Sequence, residues 1–258
     1  MVKDIYIRCS DLAKLTGDNR YEPISKTVNH ILSSNKIEAR YVPKSNIEGK
    51  LVELNEEQLS KLKIELSLDS TATKTDIEKA IKSTIMKYSY SSSISEQQSK
   101  ANVDHMLKNK PTLSLIQEDI KKDLRMSRGN IKENSNLNKV QKKHGIEIGS
   151  RNSKMYKKLL YQGDVYNIYL RGKVDGISES AVIEAKNRTS RLFKELRSYE
   201  QVQLETYMFL TELPTAILTE HYNDESFEIT YEHDELFWQR CIDLTVEFID
   251  THIKEFIH

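Results

Sequence analysis

Long apolar runs are missing: nowhere do the 258 residues approach the roughly 18 uncharged apolar positions a membrane helix needs, so no helical span is expected. The opening residues, MVKDIYIRCSDLAKL, lack the apolar h-region of a secretory signal, and an intracellular, soluble protein is expected, in the cytoplasm of its own or a host cell, with the nucleus also open. Cysteine is scarce. Cys9 and Cys241 stand at opposite ends with no C-x-x-C pairing, so neither a zinc site nor a disulfide framework is written, and a reducing compartment is the default. There is no internal repeat, and no net charge: 39 Lys and Arg balance 39 Asp and Glu. A zero sum, taken alone, argues against a nucleic-acid binder.

What is present is an uneven distribution of that charge. From Lys121 to Lys158 basic residues dominate, with Lys121, Lys122, Arg125, Arg128, Lys132, Lys139, Lys142, Lys143, Arg151, Lys154, Lys157 and Lys158. A second basic run follows in Lys186, Arg188, Arg191, Lys194 and Arg197, whereas Glu200 to His258 is acidic with Arg240 and Lys254 as its only Lys or Arg. One positive face within a neutral protein is one consequence; two solvated helix faces of opposite sign are the plainer one.

The pattern along the chain predicts an α/β (α+β) fold with a mostly helical N-terminal half. A strand or turn is followed by a helix that Ser10 caps and Gly17 ends, then by a helix over 24–34. From Pro43 to Leu68 only EEQLSKLKIEL reads as helix. Further helices fit 75–87, 96–108, 112–126 and 127–143, the last stopped near Gly145, and Ser89 to Ser95 is linker-like. Beyond that the texture changes. VYNIYLRGKVDG and AVIEAK are short β-rich runs separated by ISES, a hairpin pattern. A helix over 199–212 stops at Pro214, AILTEHY and SFEITYEH form two more strands, and a final helix from Asp234 carries a core stripe of Phe237, Cys241, Leu244, Phe248 and His252.

The chemistry is expected in the hairpin. Glu184 and Lys186 are two apart on a strand and share a face, and the hairpin brings Asp175 beside them. Paired carboxylates offer hard oxygen ligands to Mg²⁺ or Mn²⁺, and an adjacent ammonium can orient a water and stabilise charge on a phosphate. The same residues could also be a surface hairpin of alternating charge.

The run V-D-G followed by V-I-E-A-K resembles the signature of the PD-(D/E)XK nuclease superfamily, with Val174 where the pattern's name has Pro. QVQLETYMFL, in which Gln203 and Tyr207 are four apart on one helical face, is similar to the Q-x-x-x-Y motif of RecB-type nucleases and the Q-x-Q of lambda exonuclease and YqaJ-type enzymes, with Gln201 as the second candidate. SRGNIKENSNLNKV resembles the family's G-x-x-x-E helix and puts Gly129 and Glu133 in its positions. IRCSDLAKLTGDNRYEP resembles the YqaJ-type opening, with Cys9 in place of a small residue and Gly17 and Tyr21 at the family's spacing.

The resemblance covers roughly residues 1–35 and 112–258 and implies a restriction-endonuclease-like core, a mixed β-sheet flanked by helices. It divides the chain into an N-terminal segment (1–39) packed on the core, a helical insertion or subdomain (40–110) and a nuclease core (111–258). It implies a metal-dependent DNA nuclease, most directly an exonuclease on DNA ends in recombination, repair or viral and phage DNA processing. Asp175, Glu184, Lys186, Glu133 and Gln203 would be the catalytic residues, and Glu133, Asp175, Glu184 and Ala185 the Mg²⁺ (or Mn²⁺) set. Arg188, Arg191, Lys194, Arg197, Gln201, Tyr207, Ser10, Arg8 and Arg20 would meet DNA, with backbone contacts that fix position and weaken with salt. Double-stranded DNA with ends, a strand-annealing protein and further copies of the chain are the implied partners. A structure-specific endonuclease and a non-catalytic nucleic-acid-binding module on the same fold are the alternatives.

Overall fold

The computed structural model describes residues 2–89 and 94–257. The chain opens with strand β1 (Lys3–Arg8) and runs directly into α1 (Cys9–Leu15). Ser10 lies inside this helix and does not cap it. Arg8 holds the cap position with no side-chain bond, while Gly17, at φ 73°, takes the left-handed turn after the helix as expected. Next come α2 (Ile24–Ser34), α3 (Asn46–Glu53), α4 (Glu56–Glu65), α5 (Lys74–Ser89) and α6 (Glu96–Lys108).

Helix α3 went unread in the polar stretch after Pro43. Ser45 caps it by accepting from the Glu48 N–H, and Ile47 and Leu51 bury its short apolar edge. In the linker-like stretch 89–95, residues 90–93 lie outside the described residues. A 3-10 turn (Pro111–Ile116) leads into α7 (Gln117–His144), one continuous helix where two were expected. Ser127 lies within it without a break, and Arg128, the next residue, is buried against the Glu96 carboxylate. Gly145, at φ 64°, ends α7.

The second half holds β2 (Tyr156–Gln162), β3 (Tyr166–Gly172), β4 (Gly176–Ile177), β5 (Ala181–Asn187), α8 (Ser198–Thr211), β6 (Thr215–Tyr222), β7 (Glu225–Glu232) and α9 (Glu235–His252). Two mixed sheets result. In the first, ordered β1-β3-β2, β1 and β3 are parallel and β2 is antiparallel to β3; in the second, ordered β4-β5-β6-β7, only β5 and β6 are parallel. The expected hairpin is therefore confined to β4 and β5, since β3 leaves for the other sheet to pair with β1.

This is a mixed α/β architecture in which every regular element described from Cys9 to His144 is helical. The main core joins β1, β3, β5 and β6 to α1, α8 and α9. A second core, from Ile47 to Leu124, is wholly helical and runs past residue 110 into the first turns of α7. Leu137 and Val140 of α7 then pack with Ile148 on Ile183 of β5, tying that helix to the strand. In α9 the buried stripe is Trp238, Cys241, Thr245, Phe248 and Ile249, a slight rotation from the expected one. Among the described residues no helix is long and apolar enough to cross a membrane.

Candidate active site

Strand β5 is central in its sheet, and its period of two sorts its side chains onto opposite faces. Ile183 faces α7, while Val182, Glu184 and Lys186 face the side that α8 covers. The β4–β5 register sets Gly176 opposite Ile183, which puts the preceding residue, Asp175, beside Glu184. Asp175 is fixed there by the Ala185 N–H, which donates to its Oδ2 at 2.9 Å. Gly176 is required by space: a Cβ would meet Ile148 Cγ2 at 2.5 Å.

Lys186 Nζ makes an ion pair with the Glu184 carboxylate and donates to Gln203 Oε1 at 2.8 Å. Gln203 in turn donates from Nε2 to Tyr207 Oη at 2.7 Å. Gln203 and Tyr207 are thus both on the α8 face turned to β5. Gln201 is turned away, donating to Tyr231 Oη at 2.8 Å, so the helix itself separates the two glutamines. Glu184 is 3% exposed, and its Oε2 has no partner among the described residues.

The electrostatics are those of crowded carboxylates. Burial and the Glu184 charge push the Asp175 carboxyl up to about 9, against the pull of the Ala185 N–H. Burial also raises Glu133, with Glu184 adding to it and an Asn152 hydrogen bond of 3.3 Å opposing. Burial alone would lower the Lys186 ammonium, but the Glu184 and Asp175 carboxylates outweigh it and the net shift is upward. Tyr207 is held well above the usual phenol range by burial and by the same two carboxylates. The cluster therefore has more acid than base.

Asp175 and Glu184 are consequently a donor pair of the hard-oxygen type that Mg²⁺ or Mn²⁺ prefers, and the orphaned Glu184 Oε2 fits that use. No group of three or more His, Cys, Asp or Glu among the described residues is gathered so as to hold a metal. Glu133 stands near enough to raise and be raised, but its Oε1 faces Asn152. Ala185 contributes its N–H to Asp175.

The expected DNA contacts divide. Arg8 and Ser10 line a cavity of about 430 Å³ together with Tyr207, Arg171 and Lys173, the last two unforeseen. Their signal was the strand alternation of β3 and the position of Lys173 two before Asp175. Gly172 also lines it and packs tightly there, since a Cβ would collide with Cys9 Sγ. Arg20 is exposed and donates to the Gly17 carbonyl outside the cavity. Arg188 is buried rather than presented to solvent: its guanidinium is taken up by Glu200 at 2.7 Å and by Glu220, so in this conformation it reaches no phosphate. Arg191 and Lys194 are exposed. Arg197 stacks on Phe193 at 4.0 Å and pairs with Glu195 at 2.9 Å.

Fold and site together define a mixed α/β protein whose central strand presents a buried acid, lysine and glutamine cluster at a sheet end. No protein-family model matches the chain, and no curated protein matches it. Among solved structures, that of SSO0001 is similar at 17% identity and a TM-score of 0.40, over 67% of this chain and 85% of the other. An alkaline exonuclease (LHK-Exo) from Laribacter hongkongensis is similar at 11% identity and a TM-score of 0.41, over 67% of this chain and 87% of its own. The same exonuclease in complex with dAMP is similar at 10% identity and a TM-score of 0.38, over 81% and 92%.

Proposed function

We propose that the chain is a metal-dependent nuclease of the PD-(D/E)XK type that hydrolyses DNA phosphodiester bonds, as an exonuclease on DNA ends in recombination, repair or viral and phage DNA processing. The observation that carries this reading is the convergence of Asp175, Glu184, Lys186 and Gln203, with Glu184 Oε2 left unpaired. Asp175 and Glu184 would hold the Mg²⁺ or Mn²⁺ ion, with Glu133 as the nearby third acid. When bound, the ion supplies charge stabilisation at the phosphate and a water of lowered pKa.

The rest of the chemistry belongs to the chain. A lysine ammonium has three N–H donors, and Lys186 directs one to Glu184 and one to Gln203. Its third donor has no partner among the described residues and would orient the attacking water or a phosphate oxygen. Gln203 cannot rotate without breaking its bond to Tyr207, so the lysine is held from two sides.

Incubation of the protein with linear, circular and end-labelled duplex DNA in Mg²⁺, Mn²⁺ or EDTA tests the proposal. Degradation of linear DNA alone, lost in EDTA, is the expected result. Nicking of circles points to the endonuclease alternative, and binding without cleavage in either metal overturns the enzymatic reading.

A further inference from the structure

A second cleft, of about 490 Å³, opens at the C-terminal end of β5 on the side of the sheet covered by α7. Lys132, Asn136 and Lys139 of α7 form one wall, and Asn187 of β5 with Asn223 and Asp224 of the β6–β7 turn form the other. The three α7 residues are spaced i, i+4, i+7 and so share one helical face.

The wall is built, not incidental. Asn136 is 4% exposed, yet its Nδ2 has no partner among the described residues. An unsatisfied buried amide costs about 1–3 kcal/mol, which a bound acceptor would recover.

The charge in the cleft has a sign. Arg128 and Lys132 share the buried Glu96 carboxylate, which also accepts from Asn187 at 3.0 Å. Lys139 is exposed and has no carboxylate partner among the described residues. Of the charged residues that line the cleft, Lys132 and Lys139 stand against Asp224, one positive charge in excess, with the Arg128–Glu96 pair buried behind them. An amide donor flanked by ammoniums asks for an oxygen-rich anion.

The position of the cleft identifies the anion. Asn187 and Lys186 point to opposite faces of β5, so the cleft and the acid and lysine cluster open at the same sheet end on opposite faces, linked by α7, whose Lys132 lines the cleft and whose Glu133 stands near Glu184 and Asp175. We propose that it is a subsite for a backbone phosphate of the polynucleotide flanking the bond to be cut, held by Asn136 Nδ2, Lys132 and Lys139. This rests on the nuclease reading above for the identity of the polynucleotide.

The test is the affinity of the full chain for fluorescently labelled linear duplex DNA in EDTA, measured against salt. Lys139→Ala, at an exposed position that does not threaten the fold, should bind roughly fivefold more weakly at low salt and lower the salt slope by about 0.9. Asn136→Ala, checked for folding by thermal unfolding, should weaken binding too, and Asp224→Asn should tighten it. Inorganic phosphate and thymidine 5′-monophosphate serve as competitors. If either binds the parent at low millimolar concentration in a Lys139-dependent way without displacing DNA, the cleft takes a free phosphate and the backbone assignment is overturned. If the parent binds and cuts DNA while Lys139→Ala keeps its affinity and slope, the subsite is wrong and the nuclease reading stands. If binding depends on Lys139 but no DNA is cut, the subsite stands and the nuclease reading falls. Absence of any DNA binding overturns both.

Discussion

Replacing Arg188 by alanine removes the cation that bridges two carboxylates water barely reaches. Glu200 is 1% exposed and Glu220 is fully buried. Glu220 retains the Phe193 and Lys194 N–H groups, at 2.8 and 2.9 Å, whereas Glu200 Oε2 already lacks a partner and would lose the guanidinium bonded to its Oε1. Breaking a buried ion pair from one side costs about 3–5 kcal/mol. For a chain of this size that corresponds to a fall in Tm of roughly 6–20 °C. Thermal unfolding followed by circular dichroism measures the loss, and DNA affinity against salt, taken well below the new Tm, measures the other half of the claim. The buried geometry predicts an unchanged salt slope. A stability loss below about 1 kcal/mol, or a slope reduced by about 0.9 as for a lost phosphate contact, would refute it and restore Arg188 to the DNA surface.

Other expectations follow from the same geometry. The folded Asp175 carboxyl, at about 9, binds its proton far more tightly than an unfolded one, so its contribution to metal-free stability falls as pH rises from the ordinary carboxylate range towards 9. Asp175→Asn should remove that slope and, in EDTA at pH 8, unfold at a higher temperature than the parent; an equal or lower Tm contradicts the crowding of carboxylates. Gln203→Ala should lower kcat on linear DNA by roughly 10-fold or more, since an acceptor that orients Lys186 is lost. Gln201→Ala should leave kcat within about twofold, and equal losses in the two variants would show that α8 is rotated from the orientation described. Gly172→Ala should destabilise by about 1–3 kcal/mol through overpacking against Cys9, measured by urea unfolding, and Cys9→Ala in the same chain should relieve most of it.

Much of this site was legible because strand and helix periods are short-range rules. Glu184 and Lys186 share a face by parity alone, and Gln203 and Tyr207 do so by the helical i, i+4 relation, so their convergence needed only β5 and α8 to pack together. Helix ends marked by Gly17 and Gly145 were equally readable. What escaped was set by distant partners. Arg188 sits in a basic run, and only the tertiary placement of Glu200 and Glu220 turns it inward. Arg128, mid-helix in α7, is buried only because a carboxylate 32 residues away receives it. Strand β2, rich in lysine, shows its pairing only when β3 is seen to turn from β5 to β1.

The most direct test of the central claim is the rate of linear duplex DNA degradation by Lys186→Ala beside the parent, in Mg²⁺, with binding measured in EDTA. Lys186 is held by Glu184 and Gln203, and in the proposed reaction its remaining donor meets the attacking water or a phosphate oxygen. Its loss should abolish cleavage while DNA binding remains measurable. Cleavage at the parent rate would place the chemistry elsewhere in the molecule.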